Sequence, residues 1–518
     1  MQIVDSSAEI RLHIELAVDG LLLNNRGGLP ANKLLELAQT MRKAWEEIDP
    51  LWTWTLPCDN TRRTTYEISD GILAYMVEKD NSEGFQRIIY HELVPSQVKK
   101  ERWEQEWKDI GFVATDFSYN LHDDVQIFME LRDNGNVRRM HFLTISTNQP
   151  HPRAYKPYFD VCKDVCPVWE ECKTIAYDNY IAMLFLEWRG LNRSGGAMVI
   201  DWRTASVVLP YTRVTDLAFA SKDTVILMYN EEGGIRPALG LYSLAESRLL
   251  CRCVLPFLTR VMIALFLTNA ASKFGENCPA THAKRFIADP GVRILGMIFH
   301  RTSFDGAIIE RDLVVLSVQP FLRICARHSS QHLGETTIEW DDWGPTVTRW
   351  LPSTNFNYIG FRSTFGSRML VVMTDLEHSG VANSLGMLDF NPRPILKGYK
   401  DKVSQHWVTK VLTEPSEYRL GQSEKVIENR LPVRVTALRG TIPFRGLFMD
   451  GTTIVGSMLD SYRIFSFLPS IEDVDHPHQR HLGGYYESIV PDLEPESEAT
   501  SEAFPSPSGD YEEGSWSE

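Results

Sequence analysis

The stretch Val125-Gln126-Ile127-Phe128-Met129-Glu130-Leu131-Arg132-Asp133-Asn134-Gly135-Asn136-Val137, continuing to Ser146, decides the fold class. Val125, Ile127, Met129 and Leu131 alternate with Gln126 and Glu130, the period of a strand with one buried face. Asp133 to Asn136 then supplies a turn, because Asn and Gly accept the positive φ that a tight hairpin needs. A returning strand follows from Val137 to Ser146. Period two dominates from about Thr61 onward.

A looser pattern recurs along the chain. Met198-Val199-Ile200-Asp201-Trp202, Leu239-Gly240-Leu241-Tyr242-Ser243-Leu244, Leu385-Gly386-Met387-Leu388-Asp389-Phe390 and Tyr462-Arg463-Ile464-Phe465-Ser466-Phe467 are alike. Each is a strand ending in a polar residue and a large apolar one. Leu313-Val314-Val315-Leu316-Ser317-Val318 is a fifth candidate. Repeated blade-closing strands are what a β-propeller needs, since each four-stranded sheet packs on its neighbours. The copies are irregularly spaced, so stacked β-sandwiches are the alternative. At roughly 40–50 residues per repeat, residues 61–470 hold about six or seven blades with long loops. One helix is expected among the strands, capped by Ser96, with Trp103 and Trp107 on one face and Gly111 at its end.

Two helices precede the strands. The first begins near Ser6 or Ser7, with Ile10, Ile14, Ala17 and Leu21 at helical spacing. Asn24, Asn25, Gly27 and Gly28 form a loop. The second starts after Pro30, carries Leu34, Leu37, Met41, Ala44 and Ile48 on one stripe with Trp45 at its edge, and stops at Pro50. The expected organisation is a helical hairpin at 1–55, a β-propeller-like domain at 61–470, and a linker with a disordered acidic tail at 471–518. The fold class is mainly β.

The 518 residues carry a formal charge of −15 from 53 basic and 68 acidic side chains. From Glu487 to Glu518 there are ten acids and no Lys or Arg, so the remainder stands near −5. Nucleic acid and anionic membranes, which need a basic footprint, are therefore not expected as partners. The start, MQIVDSSAEI, has neither the basic nor the apolar region of a secretory signal. Reduced thiols and a cytoplasmic or nuclear location follow as expectations.

Several tracts, in the same order, resemble the region after the F-box in F-box proteins of mushroom-forming fungi. They are Glu9 to Ala17, Leu34 to Leu37 with Lys43 to Trp45, Leu143 to Thr147 followed by Pro150-His151-Pro152, Val199 to Thr204, Trp340 to Pro345 with Thr348-Arg349, and Phe448 to Gly451. The resemblance implies the substrate-receptor part of a cullin-based ubiquitin ligase adaptor, with an unknown protein as substrate. The F-box itself is expected to be absent, because too little chain precedes Ser7 to form its short helices. A ligase linker protein is a partner only if an F-box lies upstream. A stand-alone interaction scaffold and, behind it, a propeller hydrolase are the alternatives.

No catalytic constellation stands out. GxxxxGK[ST], HExxH, GxSxG and CxxC are all missing. Cys162, Cys166 and Cys172 could begin a zinc site but show no fourth ligand, and Asp475, His476, His478 and His481 read as a polar linker. Catalytic residues, cofactors and a metal are therefore not expected. Trp340, Trp343, Arg349 and Trp350 are the candidate protein-binding residues, since Trp and Arg bring large flat faces and fixed donors to binding hot spots. The competing reading is a wedge that packs two blades together.

Overall fold

The computed structural model describes residues 7–469 except 25–28, 59–63, 79–83, 94–103, 167–170, 190–191, 230–236, 257–260, 267–284, 303–308, 330–335, 353–355, 358–362, 374–383, 397, 420–425, 442 and 459. The acidic tail and the Asp475–His481 cluster lie outside the described residues. No described helix is long and apolar enough to cross a membrane.

The fold is a β-propeller. Five sheets are each built on one up-and-down four-stranded meander, and an eight-stranded sheet is two such meanders. Those two meet through a single residue pair, Phe85 with Ala114. Among the described residues, seven blades thus follow in chain order, spanning 64–107, 114–162, 171–212, 216–254, 261–352, 364–441 and 446–466. The first strand of blade 7 lies against that of blade 1. The ring is closed by a strand taken out of chain order. Strand Trp52–Pro57, near the start of the chain, pairs antiparallel with Ser461–Ser466 and becomes the fourth strand of blade 7. The ring therefore begins before the boundary expected at residue 61.

Each junction between blades holds its own apolar cluster. Ile127, Met140, Met183 and Trp202 join blades 2 and 3, and Tyr75, Phe448 and Tyr462 join blades 7 and 1. Polar staples cross some junctions near the first strands. Asp116 accepts hydrogen bonds from Thr174 N (2.7 Å) and Oγ1 (2.8 Å), and Asp216 accepts from Phe266 N at 2.9 Å. Asp450 accepts from Gly71 N across the closing junction.

The five recurrent tracts are all third strands, of blades 3, 4, 5, 6 and 7. They do not close their blades; each pairs with a fourth strand beyond it in the sheet. Their polar residues end the strand by accepting a backbone N–H two or three residues on. Asp201 takes Arg203 N, Ser243 takes Glu246 N, Asp389 takes Asn391 N and Ser466 takes Leu468 N. Short polar side chains favour such turns because they mimic a backbone acceptor. The next residue (Trp202, Leu244, Val318, Phe390 or Phe467) is buried at a junction or strand end. Insertions between these strands account for the irregular spacing.

The helix expected at 96–111 is not present in its described part. Glu104–Trp107 is the fourth strand of blade 1, and Trp107 Nε1 donates to Ile145 O at 3.0 Å. Sheet pairing and the junction with blade 2 claim Trp107; Ser96 and Trp103 lie outside the described residues.

The helical hairpin is formed by α1 (Ala8–Val18), capped by Ser7, and α2 (Ala31–Glu47). It docks on the ring at blades 6 and 7, where Leu34, Leu37, Met41 and Trp45 pack with Leu370, Met387, Met449 and Phe465. Trp45 stacks on Phe467 with ring centroids 3.8 Å apart. The stripe expected on α1 is on the wrong face: Ile10 and Ile14 are 40% and 39% exposed, whereas Leu12, Leu16 and Val18 are buried. Packing against α2 and the blades selects the second face, since both faces carry apolar residues. Ile48 lies past α2 in a left-handed conformation. Arg42 of α2 ties Asp19 and Glu15 together, and Asn391 and Arg393 of blade 6 donate to the last carbonyls of α1, Val18 O and Ala17 O. Gly20, at φ +67°, has room for no Cβ, which would meet Val292 Cγ2 at 2.7 Å.

Trp45→Ala removes the ring that joins hairpin and propeller. Truncating a buried aromatic costs about 3–5 kcal/mol. Denaturant unfolding of this variant should show a loss in that range.

Candidate functional site

The tract singled out in the sequence divides between two environments. Trp340 and Trp343 lie on α4 (Trp340–Val347), which follows α3 (Val318–Ser329) in the insertion before the last strand of blade 5. Their rings meet edge to face at 5.0 Å, and Trp343 meets Phe321 of α3 at 5.4 Å. Gly344 permits this packing, because a Cβ there would lie 2.3 Å from the Trp340 ring. Trp343 Nε1 donates to Val254 O of blade 4 at 3.2 Å. Trp350, in strand Thr348–Pro352, stacks with Phe299 at 6.0 Å. All three tryptophans belong to the cluster between blades 4 and 5. They form a packing wedge: Trp340 and Trp343, 5% and 0% exposed, offer no recognition face, whereas Trp350, 1% exposed, also lines the cavity described below.

Arg349 differs. Alternation along its strand turns it away from the tryptophan cluster, toward the connection between blades 5 and 6. Its Nη1 donates to Leu431 O at 2.6 Å and its Nη2 to Ser416 Oγ at 3.3 Å. Both acceptors are neutral, and among the described residues no carboxylate pairs with it. Burial, with no opposing charge, pulls its pKa down to about 10. Arg349 remains charged at neutral pH.

This guanidinium lines a cavity of about 440 Å³, together with Trp350, Phe356, Lys410, Ser416 and Tyr418. The volume is within the usual range for small-ligand or side-chain pockets, roughly 300–1,000 Å³. Glu414 and Glu417 stand on its exposed rim. The outer wall is the hairpin of strands Ser416–Arg419 and Val426–Asn429, anchored when Asn429 Oδ1 accepts from Trp350 N at 2.9 Å and Tyr418 OH donates to Asp312. A planar fork of donors over apolar walls suits a carboxylate or phosphate held in two-point contact.

Of the thiols considered in the sequence, Cys162 is exposed, Cys166 buried and Cys172 half-buried. The group that comes together among the described residues is another one, Cys251, Cys253 and Cys325. The Cys-x-Cys spacing on one strand face was the available signal; the third thiol arrives from a helix 72 residues beyond Cys253.

No family model matches the chain, and no curated protein matches it. Solved structures similar to it include propellers, alongside enzymes such as an oligogalacturonate lyase (10% identical, TM-score 0.30, covering 81% of this chain and 98% of that one). The Dos1 propeller is 9% identical with a TM-score of 0.33, covering 81% of this chain and 95% of that one. The WD40 propeller domain of Doa1 is 10% identical with a TM-score of 0.30, covering 80% and 97%. The propeller domain of the Trilobed protease from Pyrococcus furiosus is 9% identical with a TM-score of 0.27, covering 80% and 99%.

Two substitutions separate wedge from cavity. Trp343→Ala should destabilise the protein by about 3–5 kcal/mol, the cost of emptying an aromatic site in a packed core. Arg349→Met should leave the thermal midpoint unchanged or raised, because it removes an unpaired buried charge. A loss above about 2 kcal/mol would show that its two hydrogen bonds outweigh that charge.

Proposed function

We propose that this propeller is a non-enzymatic protein-recognition module and that it serves as the substrate-receptor part of an F-box-type ubiquitin ligase adaptor. The observation that carries the recognition reading is Arg349, a buried cation with no carboxylate partner among the described residues, lining a cavity that Trp350, Phe356 and Tyr418 also line. An acidic side chain of a partner protein, inserted there, supplies the missing charge. The ring supports this role because a closed set of interlocking blades holds such a pocket rigid, so little ordering is needed on binding.

The adaptor half of the proposal is supported by the tracts shared with F-box proteins and by α1, whose Ile10 and Ile14 face outward. A preceding domain would find apolar surface there.

Affinity capture with the full-length native product tests both halves. Recovery of the ligase linker protein supports the adaptor role, and its failure to co-purify leaves a scaffold unconnected to ubiquitin. Arg349→Met should weaken capture of the partner about tenfold or more, which corresponds to ~1.4 kcal/mol. Undiminished capture by a folded Arg349→Met chain would move recognition to another part of the ring.

A further inference from the structure

Cys251 and Cys253 are two residues apart in strand Arg248–Val254, so their side chains leave the same face of blade 4. Cys325 projects from α3, which lies across that strand; Ser329 Oγ of the same helix donates to Leu250 O at 3.2 Å and pins it there. The three sulfurs lie within 4.8 Å of one another, and Cys253 Sγ is 3.6 Å from Cys325 Sγ. All three thiols are free and none has any exposed surface. Two elements of the fold, one strand and one helix, therefore converge on one point with three soft donor atoms.

The spacing is that of ligands around one ion. Metal–sulfur bonds of about 2.3 Å place ligand sulfurs roughly 4 Å apart. Magnesium and calcium take oxygen ligands and are excluded by this donor set. Zinc takes four ligands, yet among the described residues no fourth His, Cys, Asp or Glu joins the group. Burial leaves no exposed position for a completing water. A soft ion that accepts three thiolates is what the site can satisfy, and thiolates favour monovalent copper.

We propose that Cys251, Cys253 and Cys325 form a three-sulfur site for monovalent copper, set between blade 4 and α3. Each coordinating thiol gives up its proton as the ion enters, so uptake strengthens as pH rises. The bound ion clamps α3 and, through the contact of Trp343 with Phe321, the tryptophan wedge. It therefore stabilises the junction between blades 4 and 5.

The test is anaerobic titration of the full chain with Cu(I) against a competing chromogenic chelator. A Cys162→Ala background removes the thiol that is exposed among the described residues. The expected result is one equivalent of copper withheld from the chelator, with a raised thermal midpoint. Both effects should vanish in Cys325→Ala and in Cys253→Ser, with circular dichroism showing that the ring is intact, and should persist in Cys58→Ala. Equal retention by Cys325→Ala, no retention by the parent, or retention of zinc in preference to copper would overturn the assignment. If the cysteine variants do not fold, X-ray absorption of the copper-loaded parent decides: three sulfur neighbours sustain the site, and nitrogen or oxygen neighbours reject it.

Discussion

The pairing of Trp52–Pro57 with Ser461–Ser466 is the constraint on which the rest of the structure depends. Each blade buries one face on the blade before it and the other on the blade after it. An open ring would leave two such faces in water. Closure with a strand from the opposite end of the chain joins first and last blades through backbone hydrogen bonds, which are continued by Leu51 N to Ser466 O and Cys58 N to Asp460 O. Because these contacts span nearly the whole described chain, the ring forms as one unit and its junctions support each other. The loop-closure entropy is large but grows only slowly with length.

The hairpin fits this constraint. It lies directly before the closing strand and covers the junction between blades 6 and 7, next to the seam. Trp45 on Phe467 places an aromatic stack one residue beyond the strand that the closing segment pairs with. The hairpin thus fixes where that strand enters the ring. Asn391 and Arg393 donate to the carbonyls at the end of α1, Val18 O and Ala17 O, which fixes the angle of α1.

Buried charge is treated in two different ways. Asp389, in blade 6, is surrounded by Arg434, Arg368 and Ser367. Burial raises its pKa, but the two guanidinium groups more than offset this and hold it below the ordinary range. In that network the counter-charges come from within the chain. Arg349 has neutral acceptors alone and opens onto a cavity. On the reading proposed above, that cavity is where an acidic group of a partner is accommodated.

Much of the ring was legible in the chain. The alternation at Val125–Leu131, the Asn-Gly turn and the five recurrent tracts follow from local geometry, because a strand must alternate and a turn must supply particular backbone angles. Ser7 as a cap and the apolar stripe of α2 were readable for the same reason. Three things were not: which face of α1 is buried, that Trp107 belongs to a strand, and that Trp340, Trp343 and Trp350 point into a junction while Arg349 points out of it. Each depends on which surface a neighbouring element presents. That neighbour comes from a distant part of the chain, as Cys325 does for Cys251 and Cys253. Sequence alone determined a mainly β chain of repeated meanders behind a helical hairpin. Only the closed ring decided which side chains became core and which became site, because burial is set by contacts between segments far apart in sequence.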